Sequence, residues 1–120
     1  METGGGQSSR SAECAEGAEK VSGEYMKAHY TEKAVACYGC PIGCEQIAHV
    51  KQGPFAGART SIDYESLFAF GPNCGIDDIE AVIAAIDRCD SYGMDTMSTG
   101  VTISWAMECF QRGILTKEDF

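Results

Sequence analysis

Apolar residues recur at helical intervals in the second half of the chain. Ile79, Val82, Ile83 and Ile86 share one face, Asp77 is placed to cap that helix, and Glu80 three residues later completes a capping box with Ile76 as its staple. Gly93 follows where a left-handed residue would end the helix. A second helix is predicted from about Ser98 to Arg112, followed by Gly113. Val101, Ile103, Trp105, Met107 and Phe110 make it apolar nearly all round, the pattern of an interior helix with Trp105 in the core. Shorter helices are predicted over Ala18–His29, with Val21, Tyr25 and Met26 on one side, and over Ser61–Phe70, stopped by Gly71-Pro72. Thr116 reads as the cap of a further helix. Gly39, Pro41 and Gly43 argue for a loop around the cysteines, and Lys51–Arg59 is a second loop. No alternating run is long enough to predict a strand. The expected fold class is therefore mostly α, a helical bundle-like domain over 17–120 behind a Gly/Ser/Glu-rich leader, 1–16, expected to be disordered.

Charge narrows the partners. Nine basic against eighteen acidic residues give a net charge of −9, and no Lys/Arg cluster offsets it, so nucleic acid is excluded as a partner. The start of the chain has neither the apolar core of a signal peptide nor an amphipathic basic presequence. The most apolar window, Ala81–Ile86, is too short to cross a bilayer, which leaves a cytoplasmic protein with no membrane partner as the expectation. Seven cysteines are an odd number, and without a secretory signal they suit reduced thiols that bind metals or pack.

Three of them crowd into ACYGCPIGC as Cys37-x2-Cys40-x3-Cys44. Soft thiolates from one tight loop suit three irons of a cubane cluster, and glycines let the backbone aim N–H groups at the sulfurs. Zinc suits the spacing equally, because Cys37, Cys40, Cys44 and His49 could make a Cys3His site. Inert loop thiols are the bland alternative. A radical-SAM loop has its gaps in the reverse order. A fourth cluster ligand could come from Cys14, Cys74, Cys89 or Cys109, although Cys89 and Cys109 fall on helices predicted to be buried and Cys74 lies in a loop.

ACYGCPIGC, DYESLFAFGPNCGIDDIEAV and CDSYGMDTMSTGVTISWAMEC, followed by GILTKED, occur in the order and at the intervals of one family. Over about Gly17 to Phe120 the chain resembles the tungsten-containing aldehyde:ferredoxin oxidoreductases. The resemblance implies part of the middle domain of a tungstopterin enzyme that oxidises aldehydes to carboxylic acids. Its cofactors would be a tungsten (or molybdenum) bis-pyranopterin and a 4Fe–4S cluster, with magnesium as an additional ion. Its partners would be ferredoxin, an aldehyde substrate and the remaining domains of the same enzyme. Cys37, Cys40 and Cys44 would be three cluster ligands, the fourth lying outside this sequence, and Cys74 would be structural.

By itself Asp90-Ser91-Tyr92-Gly93-Met94-Asp95 is a helix end, a glycine and a cap. The resemblance makes it a pterin-contacting motif, D-x-x-G-L-D, with Asp90, Gly93 and Asp95 as contacts and Met94 in place of leucine. Glu65 on its own is a solvated carboxylate at a helix start. The resemblance puts it near the metal as general acid or base, ahead of Asp63 and Glu45, where burial would raise its pKa. His29 and His49 read as surface residues, and Ser98-Thr99-Gly100 as a close-packed helix start.

The resemblance further implies an internal piece of a longer enzyme, inactive alone. The other function classes kept open are a stand-alone iron–sulfur electron carrier using Cys74 and a small zinc-binding interaction module using His49. An aromatic acyl-CoA reductase subunit is the alternative within the family.

Overall fold

The computed structural model describes residues 17–119; the leader predicted over 1–16 lies outside them. A 3-10 turn, Ala18–Val21, leads into α1 (Gly23–His29). Strands β1 (Thr31–Val35), β2 (Glu45–His49) and β3 (Arg59–Ile62) follow. Next come α2 (Tyr64–Phe70), a 3-10 turn at Pro72–Cys74, α3 (Ile79–Tyr92), α4 (Thr96–Gln111) and a last 3-10 turn, Lys117–Asp119.

The mostly helical expectation holds in part: helices make up about half of the structure, and a small sheet is added to them. The strands form an antiparallel sheet of order β1-β2-β3. Their four or five residues give an alternation too brief to stand out in the sequence. Ser61 and Ile62, predicted to open a helix, belong to β3, and the helix starts only after Asp63 caps it. The predicted Ala18–His29 helix divides at Ser22, whose Oγ accepts the Tyr25 N–H at 3.1 Å and so caps α1.

One face of the sheet is dry. Ala48 and Ile62 are fully buried on it, with Thr60 beside them, and α3 packs against that side with Val82, Ile83 and Ile86. Val50, Leu67, Phe70, Met26 and Val21 complete the core. The buried stripe of α3 is the predicted one. Its cap is not, because Asp78 rather than Asp77 accepts the N–H groups of Glu80 and Ala81, at 3.0 and 3.3 Å. Glu80 does not close a capping box either. Its Oε1 accepts the Tyr30 hydroxyl at 2.9 Å, a tie across fifty residues that outcompetes the local one. Gly93 closes α3 at φ +67°, as predicted.

Burial, and then the Glu80 carboxylate, push the Tyr30 phenol up from 10.0 to about 12. The protonated phenol is thus favoured by folding, so its contribution is intact below pH 10 and is lost as pH rises through 12. An ultraviolet titration should show one tyrosine ionising late, and Tyr30→Phe should remove that step. Denaturation midpoints should then fall less steeply between pH 10 and 12 in Y30F than in the unsubstituted protein.

The opposite sheet face is half-open and stitched by one carboxylate. A bulge between Thr31 and Lys33 lets Glu32 reach over β2, where it accepts from Arg59 Nε at 2.9 Å and pairs with His49 Nδ1 at 3.0 Å. The Arg59 and then the His49 hydrogen bonds hold the Glu32 carboxyl below its usual range.

The interior-helix expectation for α4 is also corrected. Only Gly100 and Cys109 are buried on it, and Trp105 is 61% exposed, as are Val101, Ile103 and Phe110 in large part. An all-round apolar pattern predicts that a helix can be buried, not what covers it. Here α2 and the Pro72–Cys74 turn cover one narrow side. Thr116 does start a turn, its N–H and hydroxyl donating to Asp119 Oδ2 at 2.7 and 2.9 Å. Among the described residues no helix is long and apolar enough to cross a membrane.

Candidate cofactor site

Residues 36–44 connect β1 to β2 and carry the three clustered cysteines. The Cys40 N–H donates to the Cys37 carbonyl at 3.0 Å, closing a turn between the first two thiols. Gly39 and Gly43 take φ of +73° and +62°, a backbone that other residues adopt only with strain. Cys37 and Cys44 are exposed and Cys40 is half-buried; none of the three forms a disulfide. The nearby Glu45 carboxylate, then burial, then Cys40 and Cys44, push the Cys37 thiol up. Among the described residues no three His, Cys, Asp or Glu side chains are already closed round a metal position. The donor chemistry fits an iron–sulfur group: soft thiols on one accessible loop whose glycines permit it to wrap a cluster.

The zinc alternative loses its fourth ligand. His49 is five residues up β2 from Cys44, about 16 Å at the rise of a strand, and it is engaged by Glu32. His49, expected at the surface, is half-buried. His29, stacked on Tyr25 at 4.2 Å, is exposed as predicted. Cys74, predicted in a loop, is buried in the Pro72–Cys74 turn, where its thiol donates to the carbonyls of Ala69 and Gly100 at 3.3 and 3.5 Å. It packs α2 against α4, as a structural cysteine would. Cys89 and Cys109 are buried, as expected. Cys14 lies outside the described residues.

The other predicted residues converge on the same end of the sheet. The register pairs Gln46 with Ile62, so one step further along both strands brings Glu45, next to Cys44, beside Asp63. Asp63 caps α2 by accepting the Ser66 N–H at 2.7 Å. Glu65 stands in that first turn, exposed, and the desolvated setting expected for it is not found in the chain. Ser66 Oγ lies 2.8 Å from Thr96 Oγ1, which ties the start of α2 to the start of α4. There Asp95 caps α4, accepting the Ser98 N–H at 2.8 Å, as the plainest reading of the motif requires. Hydrogen bonds from Ser98, side chain first and backbone second, hold the Asp95 carboxyl below its ordinary value. Asp90, at the end of α3, is fixed by the Thr60 hydroxyl of β3. α4 therefore begins at Thr96, two residues before Ser98, and Gly100 is the close-packing residue, set against Ala69.

Three polar ties escaped the sequence reading: Thr60 to Asp90, Ser66 to Thr96, and Ser61 to Glu45 at 2.8 Å. Each joins residues 16 or 30 apart, so no local spacing signals it. What results is one end of a small α+β unit carrying a thiol loop, two helix N-termini and exposed carboxylates, each aspartate held by one oxygen.

Comparison with known proteins gives the family. The chain belongs to the aldehyde ferredoxin oxidoreductases, since the family described as "Aldehyde ferredoxin oxidoreductase, domains 2 & 3" matches residues 6–120. It is 42% identical over 104 residues to the tungsten-containing aldehyde ferredoxin oxidoreductase of Thermococcus kodakarensis, covering 87% of this chain and 17% of that protein. The Pyrococcus horikoshii enzyme of the same name is 42% identical over 98 residues, 82% of this chain and 16% of its own length. A Pyrococcus furiosus protein named aliphatic sulfonate oxidoreductase, WOR-like subunit, is 38% identical over 91 residues, covering 75% of this chain and 15% of its own. The chain thus spans about a sixth of the length of these curated relatives.

Proposed function

We propose that this chain is the cofactor-binding part of an oxidoreductase that converts aldehydes to carboxylic acids and passes the electrons to ferredoxin. The observation that carries the reading is the gathering of Cys37–Cys44, Glu65 and Asp90–Asp95 at one end of the fold by the β2–β3 register and the Ser66–Thr96 tie. Cys37, Cys40 and Cys44 would hold three irons of a 4Fe–4S cluster as thiolates, with the fourth ligand from elsewhere in the protein. Asp90 and Asp95 would accept N–H groups of a pterin, and Gly93 would let the backbone approach it closely. When bound, a tungsten–bispyranopterin centre supplies the two-electron oxidation and the cluster the one-electron steps. Glu65 would take up and release the proton at its carboxylate, which stands free of the Asp63 cap. The aldehyde relatives favour this substrate class, and the aliphatic sulfonate relative favours a second reading in which the same segment serves a different substrate.

Anaerobic isolation with iron, sulfide, zinc and tungsten measured on one sample tests the proposal. Iron and sulfide should be present in equal amounts and be lost in Cys40→Ser. One zinc per chain without sulfide would refute the cluster assignment.

A further inference from the structure

The contact between Ser61, Glu45 and Cys37 has no part in the function above. Glu45 opens β2 and Ser61 lies on β3, on the sheet face shared with Ile47. Ser61 donates to Glu45 Oε2 at 2.8 Å, which leaves Oε1 facing Cys37 Sγ at 3.8 Å. Glu45 is half-buried. The ion pairs among the described residues join Glu32 to His49 and Arg59, and Glu108 to Arg112, and none of them includes Glu45.

We propose that Glu45, positioned by Ser61, is a fixed negative charge that lowers the reduction potential of the iron–sulfur group held by Cys37, Cys40 and Cys44. The inference rests on the cluster reading above. As a ligand, Cys37 has no S–H to donate, and its contact with Oε1 becomes one between like charges. Each electron added to the cluster raises the negative charge on its sulfurs. A carboxylate this close, in a setting less polarisable than bulk water, therefore disfavours the reduced form. Hydrogen-bond donors to cluster sulfurs act in the opposite sense, and such outer contacts tune potentials throughout this class of centre.

The test is a potentiometric titration of the anaerobically isolated full chain at one pH, followed by electron paramagnetic resonance, with iron and sulfide quantified beforehand. Glu45→Gln is isosteric and neutral. At a given solution potential it should raise the reduced-to-oxidised ratio about tenfold, a shift of about 59 mV for a one-electron couple. Ser61→Ala should shift the ratio in the same direction by less, because the charge remains but can turn toward water. An unchanged or lower potential in E45Q, with iron and sulfide intact, would overturn the proposal and leave the cluster reading standing. Loss of the cluster in E45Q and its return in Glu45→Asp would overturn it too, by making Glu45 a builder of the loop. Absence of iron and sulfide from the unsubstituted protein would overturn both.

Discussion

Alanine at position 100 is expected to destabilise the protein, although it would stabilise most helices. Gly100 lies inside α4, where replacing glycine by alanine ordinarily gains about 1 kcal/mol. Here the new Cβ would sit 2.7 Å from Ala69 Cβ and 2.8 Å from the Ala69 carbonyl carbon and oxygen. Two of those three atoms are backbone and cannot rotate aside. α2 and α4 must separate, and overpacking of this kind costs about 1–3 kcal/mol or more. Separation also pulls on the thiol of Cys74, which donates to carbonyls on both helices, and on the Ser66–Thr96 tie. The clash should outweigh the propensity gain. Urea denaturation of G100A should show a lower midpoint, and Ala69→Gly in the same chain should restore only part of it, because the backbone contacts remain. A midpoint at or above the original would mean that the two helices part freely.

Ile83→Ala should cost more, about 2–5 kcal/mol, by removing the side chain and leaving a cavity that its neighbours only partly fill. Ile83 is fully buried beside Val50, Ile62, Val82 and Ile86, between α3 and the sheet. Ile103→Ala removes the same apolar group from α4, where Ile103 is 40% exposed, and should cost far less, about 0.5 kcal/mol. Comparing the two by denaturation separates real burial from mere apolarity. Equal losses would mean that α4 is covered after all.

Those two positions also show what could and could not be read from the chain. The α3 stripe was legible because four apolar residues repeat at helical spacing and a left-handed glycine ends them. α4 was legible as a helix and not in its burial, since an apolar surface on all sides carries no information about a partner. The strands were missed because four or five residues offer too few alternations. Spacing to Glu80 favours Asp77 as the α3 cap, a local pattern that loses to the distant hydroxyl of Tyr30 and leaves the cap to Asp78. Glu65, expected in a desolvated setting, is exposed: in that turn Asp63 is the cap, and Ser66 and Leu67 are the buried residues.

The sequence by itself determined the local chemistry: three thiols on a glycine-hinged loop, the Asp90–Asp95 turn, and the dry face of α3. These depend on neighbours within a few residues, where backbone preference and side-chain type decide the outcome. The tertiary structure alone decided which of these features meet. The β2–β3 register brought the thiol loop to the start of α2, Thr60 and Thr96 drew in the Asp90–Asp95 turn, and strand length carried His49 away from the cysteines. Such choices follow from pairing and packing between residues far apart in the chain, whose free energy no local stretch of sequence contains.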